Sequence, residues 1–398
     1  MRKMQSLLMA AIMVAALALT ASDASAGFKL KWDDDTYLDL GGRLQIFAVS
    51  ANDTSLNGDP SNFENRTDFQ IRRARFRLGA QANSFMGFFL QTDVSGRDMK
   101  MIDAYIKIKA SKALQLGAGL IMAPALRQNI TSSGTLMTIA RPSLTRKSLP
   151  WGLKSGTAFN TKSFGDSGAK GAGGVGLGVR DAGLTLWGVI DTSDTVHMKY
   201  YFGIYNGAQS GIEGAGRNDN FHYTARYQVS FGDSESKYFH ASTYFGKKDV
   251  ITIGAAYDWQ DDLVKERANK IDYKLYTIDF FMEKMGMTVE AAYINMDLGE
   301  DVSDVDLSKS AGDGYYVQAG YMISPNIQPW AEYETWSSNA ASGYGGHKTW
   351  RVGATYIVEK GHRANIKLGY ENFTSDENIG SSNEDTIGTL LLGFFSTF

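Results

Sequence analysis

From residue 37 onward the chain alternates apolar and polar residues with a period of two, in segments of roughly ten residues. "YLDLGGRLQIFAVS" puts Leu38, Leu40, Leu44 and Ile46 on one face and Asp39, Arg43 and Gln45 on the other. "DAYIKIKAS" sets Ala104, Ile106 and Ile108 against Asp103, Tyr105, Lys107 and Lys109. In "FQIRRARFRLGAQA", strand periodicity aligns Arg73, Arg75 and Arg77 on one face with Ala74, Phe76, Leu78 and Ala80 behind them. Counted to the end of the chain, the pattern predicts sixteen strands. Residues 237–249 are ambiguous, and an even strand count places them as irregular chain on the short-turn side.

The connections alternate too. Short links lie at 83–86, 191–194, 323–326 and 359–363, and long polar ones at 51–68, 206–220, 297–313 and 374–385. Short turns at one rim and long loops at the other predict an all-β transmembrane antiparallel barrel, closed so that no edge is left in lipid. A soluble sandwich alternates as well, but sixteen strands would make two or more sandwiches, and no linker divides them. The last segment, "TIGTLLLGFFSTF", carries Leu390, Leu392 and Phe394 on the face of terminal Phe398, resembling a barrel assembly signal. Ser396 departs from the usual apolar residue at that place.

Residues 1–26 read as a signal peptide: Arg2 and Lys3, an apolar run from Leu7 to Leu19, and small residues at Ala24-Ser25-Ala26. The mature chain, 27–398, reads as a single barrel domain in a bacterial outer membrane. With 43 Gly against 6 Pro, and with 20 Tyr, 21 Phe and 7 Trp, composition favours strands and tight turns. There is no cysteine, so disulfide scaffolds do not apply.

Charge changes the picture more. Residues 27–200 hold 22 Lys/Arg against 15 Asp/Glu, whereas 201–398 hold 16 against 27. In a barrel the oily face meets lipid, so Arg73, Arg75, Arg77, Arg43, Lys107 and Lys109 fall on the lumen face as a candidate anion pathway. Carboxylates on neighbouring strands, such as Asp39 and Asp93, are candidate partners that would neutralise part of it. Arg72 takes the lipid-facing parity and is expected near the outer rim. Four clustered arginines suggest a nucleic-acid patch at first, but alternation with apolar residues removes that reading.

The longest connection, 123–178, has Arg127, Arg141, Arg146, Lys147, Lys154, Lys162 and Lys170 against one acid, Asp166. Leu136, Met137, Ile139, Leu144, Leu149, Trp151 and Leu153 let it pack, so it is expected to fold inward as a constriction loop that attracts anions. The alternative puts these cations on lipopolysaccharide phosphates at the rim. "GAGGVG" at 171–176 fits a dinucleotide fingerprint by letters only, since a strand follows it rather than a helix. The five histidines are scattered, so no metal, cofactor or catalytic residue is expected.

Taken in order, "IRRARFRLGA", "DAYIKI", "LGAGLIMAP", "RDAGLTLWG", "YYFGIYNG" and the final "LLLGFFSTF" resemble the phosphate-selective porins O and P. The resemblance is strongest from 69 to 206. It implies a sixteen-stranded barrel, a homotrimer, an inward loop, and basic residues that guide phosphate or other small oxyanions. Two alternatives stay open: a general, weakly selective porin, and a barrel that sheathes an electron-transfer partner.

Overall fold

The computed structural model describes residues 27–51, 66–95, 99–147, 179–207, 220–264, 271–299, 311–339, 346–359, 361–376 and 386–398. The expected leader therefore lies outside the described residues. Among the described residues, seventeen strands follow in chain order: β1 (Phe28–Lys31), β2 (Tyr37–Ala51), β3 (Arg66–Gln81), β4 (Met86–Asp93), β5 (Lys100–Lys109) and β6 (Gln115–Met122). Then come β7 (Arg180–Asp191), β8 (Val196–Tyr205), β9 (His222–Gly232), β10 (Val250–Val264), β11 (Ile271–Lys284) and β12 (Met287–Asp297). The last five are β13 (Gly312–Tyr321), β14 (Ile327–Ser338), β15 (His347–Glu359), β16 (Ala364–Ser375) and β17 (Thr386–Thr397).

Each strand from β2 to β17 pairs antiparallel with the next, and β17 pairs back onto β2. The sheet is a closed sixteen-stranded barrel, as the alternation predicts. All sixteen expected strands form, and the described residues 237–249 contain no strand. The short β1 is additional. It pairs with Tyr37–Leu40, while β17 pairs with Arg43–Ala51 of the same strand. Gly42 N donates to Phe398 O at 2.9 Å and Phe398 N to Gly42 O at 3.1 Å, so β1 and β17 meet end to end as one composite strand. The Phe398 ring lies over Gly42, where even a Cβ would come within 2.4 Å of it. A side chain at 42 would displace the terminal ring.

The exterior is the apolar face. Leu40, Leu44, Phe76, Ile106, Ile278, Val352, Leu368 and Leu390 are all exposed, while their polar neighbours face inward. A charged residue turned to lipid at mid-membrane would cost roughly 2–4 kcal/mol, which fixes this register.

One expectation is corrected here. Strict alternation puts Arg72 toward lipid, but β3 carries a bulge: Gln45 lies opposite Arg73 and Ile46 opposite Ile71. Arg72 is the extra residue. Ile71 and Phe69 stay exposed on the outside, while Arg73 is 6 % exposed on the lumen side. The bulge resets the parity between the two halves of the strand, and both keep their apolar residues in lipid.

Candidate functional site: the lumen and its two inserts

Among the described residues, two segments enter the barrel. From the loop rim, residues 123–147 descend from the end of β6 through two short 3-10 turns, Arg127–Ile130 and Ser143–Lys147. Leu136, Met137, Ile139 and Leu144 are buried. Met137 and Ile139 join Phe47, Trp330, Leu391 and Phe395, and Leu144 joins Tyr273, Leu275 and Trp336. Each such side chain stabilises the inward pose by about 1.5–3 kcal/mol. Leu149, Trp151 and Leu153 lie outside the described residues. Lys367 of β16 donates to three successive carbonyls, Leu136, Met137 (3.0 Å) and Thr138 (3.1 Å), which fixes the deepest turn of the segment.

The tip at Ser132-Ser133 meets the arginine wall. Arg43 donates to Ser133 Oγ (2.7 Å) and Ser132 Oγ (3.0 Å), and Gln45 Nε2 donates to the Ser133 carbonyl (2.9 Å). Arg73 reaches Gln45 Oε1 at 2.6 Å. Arg75 pairs with Asp93 at 2.7 Å and also approaches Ser133 Oγ at 3.3 Å. Arg77 donates to Phe398 O at 3.0 Å. All four lie on the lumen face, yet only Arg77 is turned away from the tip. Lys107 and Lys109 on β5 are exposed. Asp93 is a partner of this wall as expected; Asp39 is not ion-paired with an arginine among the described residues.

Of the cations assigned to the long loop, Arg127 is held by Glu235, with Nη1–Oε2 at 2.9 Å and Nη2–Oε1 at 2.7 Å. Arg141 donates to the carbonyls of Gln128 (3.0 Å) and Thr131. Burial, then Arg180, Arg75, Arg43 and Arg72, push its pKa well below the usual arginine value. That places bulged Arg72 within the field of the lumen cluster. Nothing is described of the side chains of Arg146 and Lys147, and Lys154, Lys162 and Lys170 lie outside the described residues.

The second insert was not legible in advance. Residues 233–249, joining β9 to β10, enter from the short-turn rim and meet the first insert. Burial alone would raise the Glu235 carboxyl, but Arg127 and then His240 outweigh it and hold it well below the usual carboxylate range. A depressed carboxylate stabilises the fold at every pH above its unfolded pKa of about 4.3, and loses that effect only as pH falls through the folded value. The unfolding-temperature difference between wild type and Glu235→Gln should therefore be constant from pH 7 to pH 5 and shrink only in stronger acid. A difference that already shrinks between pH 7 and pH 5 would mean the carboxylate is not held this way.

The far wall is acidic and covered. Glu290 accepts from Gln128 (2.8 Å), Ser242 (2.9 Å) and Tyr316 (2.9 Å). Arg351 is shared by Glu332, Glu334 and Glu371, and Ser143 of the loop donates to Glu334 at 2.5 Å. On β10 and β11, Asp258 pairs with His222 and Asp279 with Arg226. Lumen parity on "QPWAEYETW" already points Glu332 and Glu334 inward, so that part of the wall had a signal.

No family model matches the sequence, and no curated protein matches it. Solved structures do. The chain is similar to OmpF of Salmonella typhi in a complex with daunomycin (15 % identity, TM-score 0.57, 93 % of this chain and 100 % of that one). It is also similar to the outer membrane channel DcaP of Acinetobacter baumannii (12 %, 0.55, 93 % and 100 %). OmpT, an outer membrane protein of Vibrio cholerae, matches at 12 % identity and TM-score 0.54, over 93 % and 99 % of the two chains. At such identities the likeness establishes the fold: a closed sixteen-stranded barrel of the bacterial outer-membrane type.

Proposed function

We propose that this chain is an outer-membrane porin through which small anions diffuse passively. One observation carries the reading. The described lumen-facing carboxylates of the far wall are buried and partnered, whereas the exposed charges described on β5 are all cations, Lys100, Lys107 and Lys109, with part-exposed Arg77 of β3 beside them. Likeness to an outer membrane channel supports passage over enzymatic work. Phosphate or another oxyanion suits planar guanidiniums, as the resemblance to the phosphate-selective porins O and P implies. The same resemblance carries the homotrimer, and contact with lipid and lipopolysaccharide follows from the setting.

The test is the purified protein in planar bilayers across a potassium chloride gradient. The reversal potential should lie on the chloride side, and phosphate should reduce chloride current if the oxyanion reading is right. A reversal potential on the potassium side would overturn anion preference. Absence of open-pore current, with a haem protein co-purifying, would favour the sheath.

A further inference from the structure

The β9–β10 connection leaves the short-turn rim at Gly232 but does not turn straight back, as the links at 192–195 and 285–286 do. It crosses the mouth of the barrel. Lys199 of β8 donates to the carbonyls of Glu235 (2.9 Å) and Lys237, and Tyr201 Oη to that of Tyr238 (2.7 Å). Farther along, Ser242 meets Glu290 of β12, and Gln318 of β13 donates to Ser242 at 2.9 Å. Thr243 accepts from Gln328 of β14 at 3.0 Å, and its carbonyl accepts from His362, in the β15–β16 turn, at 2.8 Å. The segment thus spans from β8 to the β15–β16 turn.

Its inner edge is joined to the loop by main chain as well as side chain. His240 N donates to Ile130 O (3.0 Å), Ser132 N to His240 O (3.1 Å), and Ser242 N to Thr135 O (3.0 Å). Beside this bridge sits Glu235. It takes both Arg127 nitrogens and accepts from Tyr244 Oη (2.6 Å) and Thr252 Oγ1 (3.0 Å). Arg127 Nη2 also donates to the Ala241 carbonyl at 3.2 Å, and its guanidinium lies 3.9 Å from the Phe281 ring centroid. Arg127 and Glu235 are both essentially inaccessible to water, with side chains 0 % and 2 % exposed. A bidentate pair in such a place fixes orientation, because neither partner finds water if the other moves away.

We propose that residues 233–249 are a strut, built from the short-turn rim, that sets the position of the inward loop and hence the width of the pore. Glu235 is its positioning residue. The inference rests on the porin reading and adds to it: the loop tip is pinned between the arginine wall and a segment from the opposite rim.

The chain has no cysteine, which makes a lock possible. Unitary conductance would be recorded for wild type, Glu235→Gln, Arg127→Met, and Glu235→Gln combined with Thr131→Cys and His240→Cys. Both charge variants should widen the pore and raise conductance about twofold, because the narrowest point sets conduction. In the combined variant, the oxidised disulfide should return conductance to the wild-type value and reductant should raise it again. A change of folding yield alone would leave these conductances where they were. Wild-type conductance in both folded charge variants would overturn the strut while leaving the porin reading intact. Absence of current in wild type would instead overturn the porin reading. Should the charge variants fail to fold, Thr131→Cys with His240→Cys in the wild-type background decides. Identical conductance and noise with the bridge closed and open would overturn the proposal, and quieter current with it closed would support it.

Discussion

Changing Arg77, Lys107 and Lys109 together to glutamate should turn the channel from anion-preferring to cation-preferring. These lumen-side cations do not touch the loop tip: Lys107 and Lys109 are exposed and Arg77 is part-exposed beside Phe398 O, while Arg43, Arg73 and Arg75 are engaged with Ser132, Ser133, Gln45 and Asp93. In water, a unit charge about 8 Å from a passing ion contributes about 0.5 kcal/mol. Three reversals change the sum by six units, about 3 kcal/mol before screening. A Debye length of about 10 Å at 0.1 M salt removes roughly half of that. What remains shifts the anion-to-cation permeability ratio at least about tenfold. The effect should nearly vanish at 1 M, where the Debye length is about 3 Å. Reversal potentials at both salt concentrations read this directly. An unchanged ratio at low salt would mean that other charges set the field. By the same geometry, alanine at Arg73 and Arg75 should act through the loop tip they hold, more than through lost field.

What the sequence made legible, and what it hid, follows from the range of each interaction. Strand alternation is a local property with a penalty of several kcal/mol for error, so sixteen strands and their inward faces could be read from it. The bulge at Arg72 could not be, because a run of "IRRAR" keeps its alternation on either side of one extra residue. The composite strand of β1 and β17 was hidden for another reason. Four residues are too short to show a period, and their partner is more than 350 positions away in the chain. The inward loop was foreseeable from its apolar residues, since a long polar connection has no use for Met137, Ile139 and Leu144. Its partners were not. Glu235 sits in a segment whose pattern says only "irregular", and nothing local ties it to Arg127 108 residues earlier. Charge counts misled at that point. The basic excess of the loop looked like free charge, but Arg127 is neutralised by an acid from the other half of the chain.

Arg351→Met should be the most destabilising single change in the lumen. The Arg351 guanidinium serves three carboxylates: Nε to Glu371 at 2.6 Å, Nη1 to Glu332, and Nη2 to Glu334 at 3.4 Å. The three glutamate side chains are fully buried and that of Arg351 is 4 % exposed. Removing one partner of a buried pair costs about 3–5 kcal/mol, and here three anions lose their nearest cation at once. Replacing the whole group with neutral side chains of similar shape is nearly neutral by the same reasoning. So Arg351→Met combined with Glu332→Gln, Glu334→Gln and Glu371→Gln should recover most of the loss. The temperature at which the folded, fast-migrating band disappears on heating in detergent gels compares the variants. A wild-type temperature for Arg351→Met would show that the cluster is not held by this arginine. The variant also reaches the pore. Glu334 accepts from Ser143 Oγ at 2.5 Å and from Leu144 N at 3.4 Å, so its displacement would free the ascending limb of the loop. In channels that still insert, Arg351→Met should therefore add slow current fluctuations that the quadruple variant lacks. Lost stability and a loosened loop have one cause: carboxylates buried to anchor the loop need a cation among them.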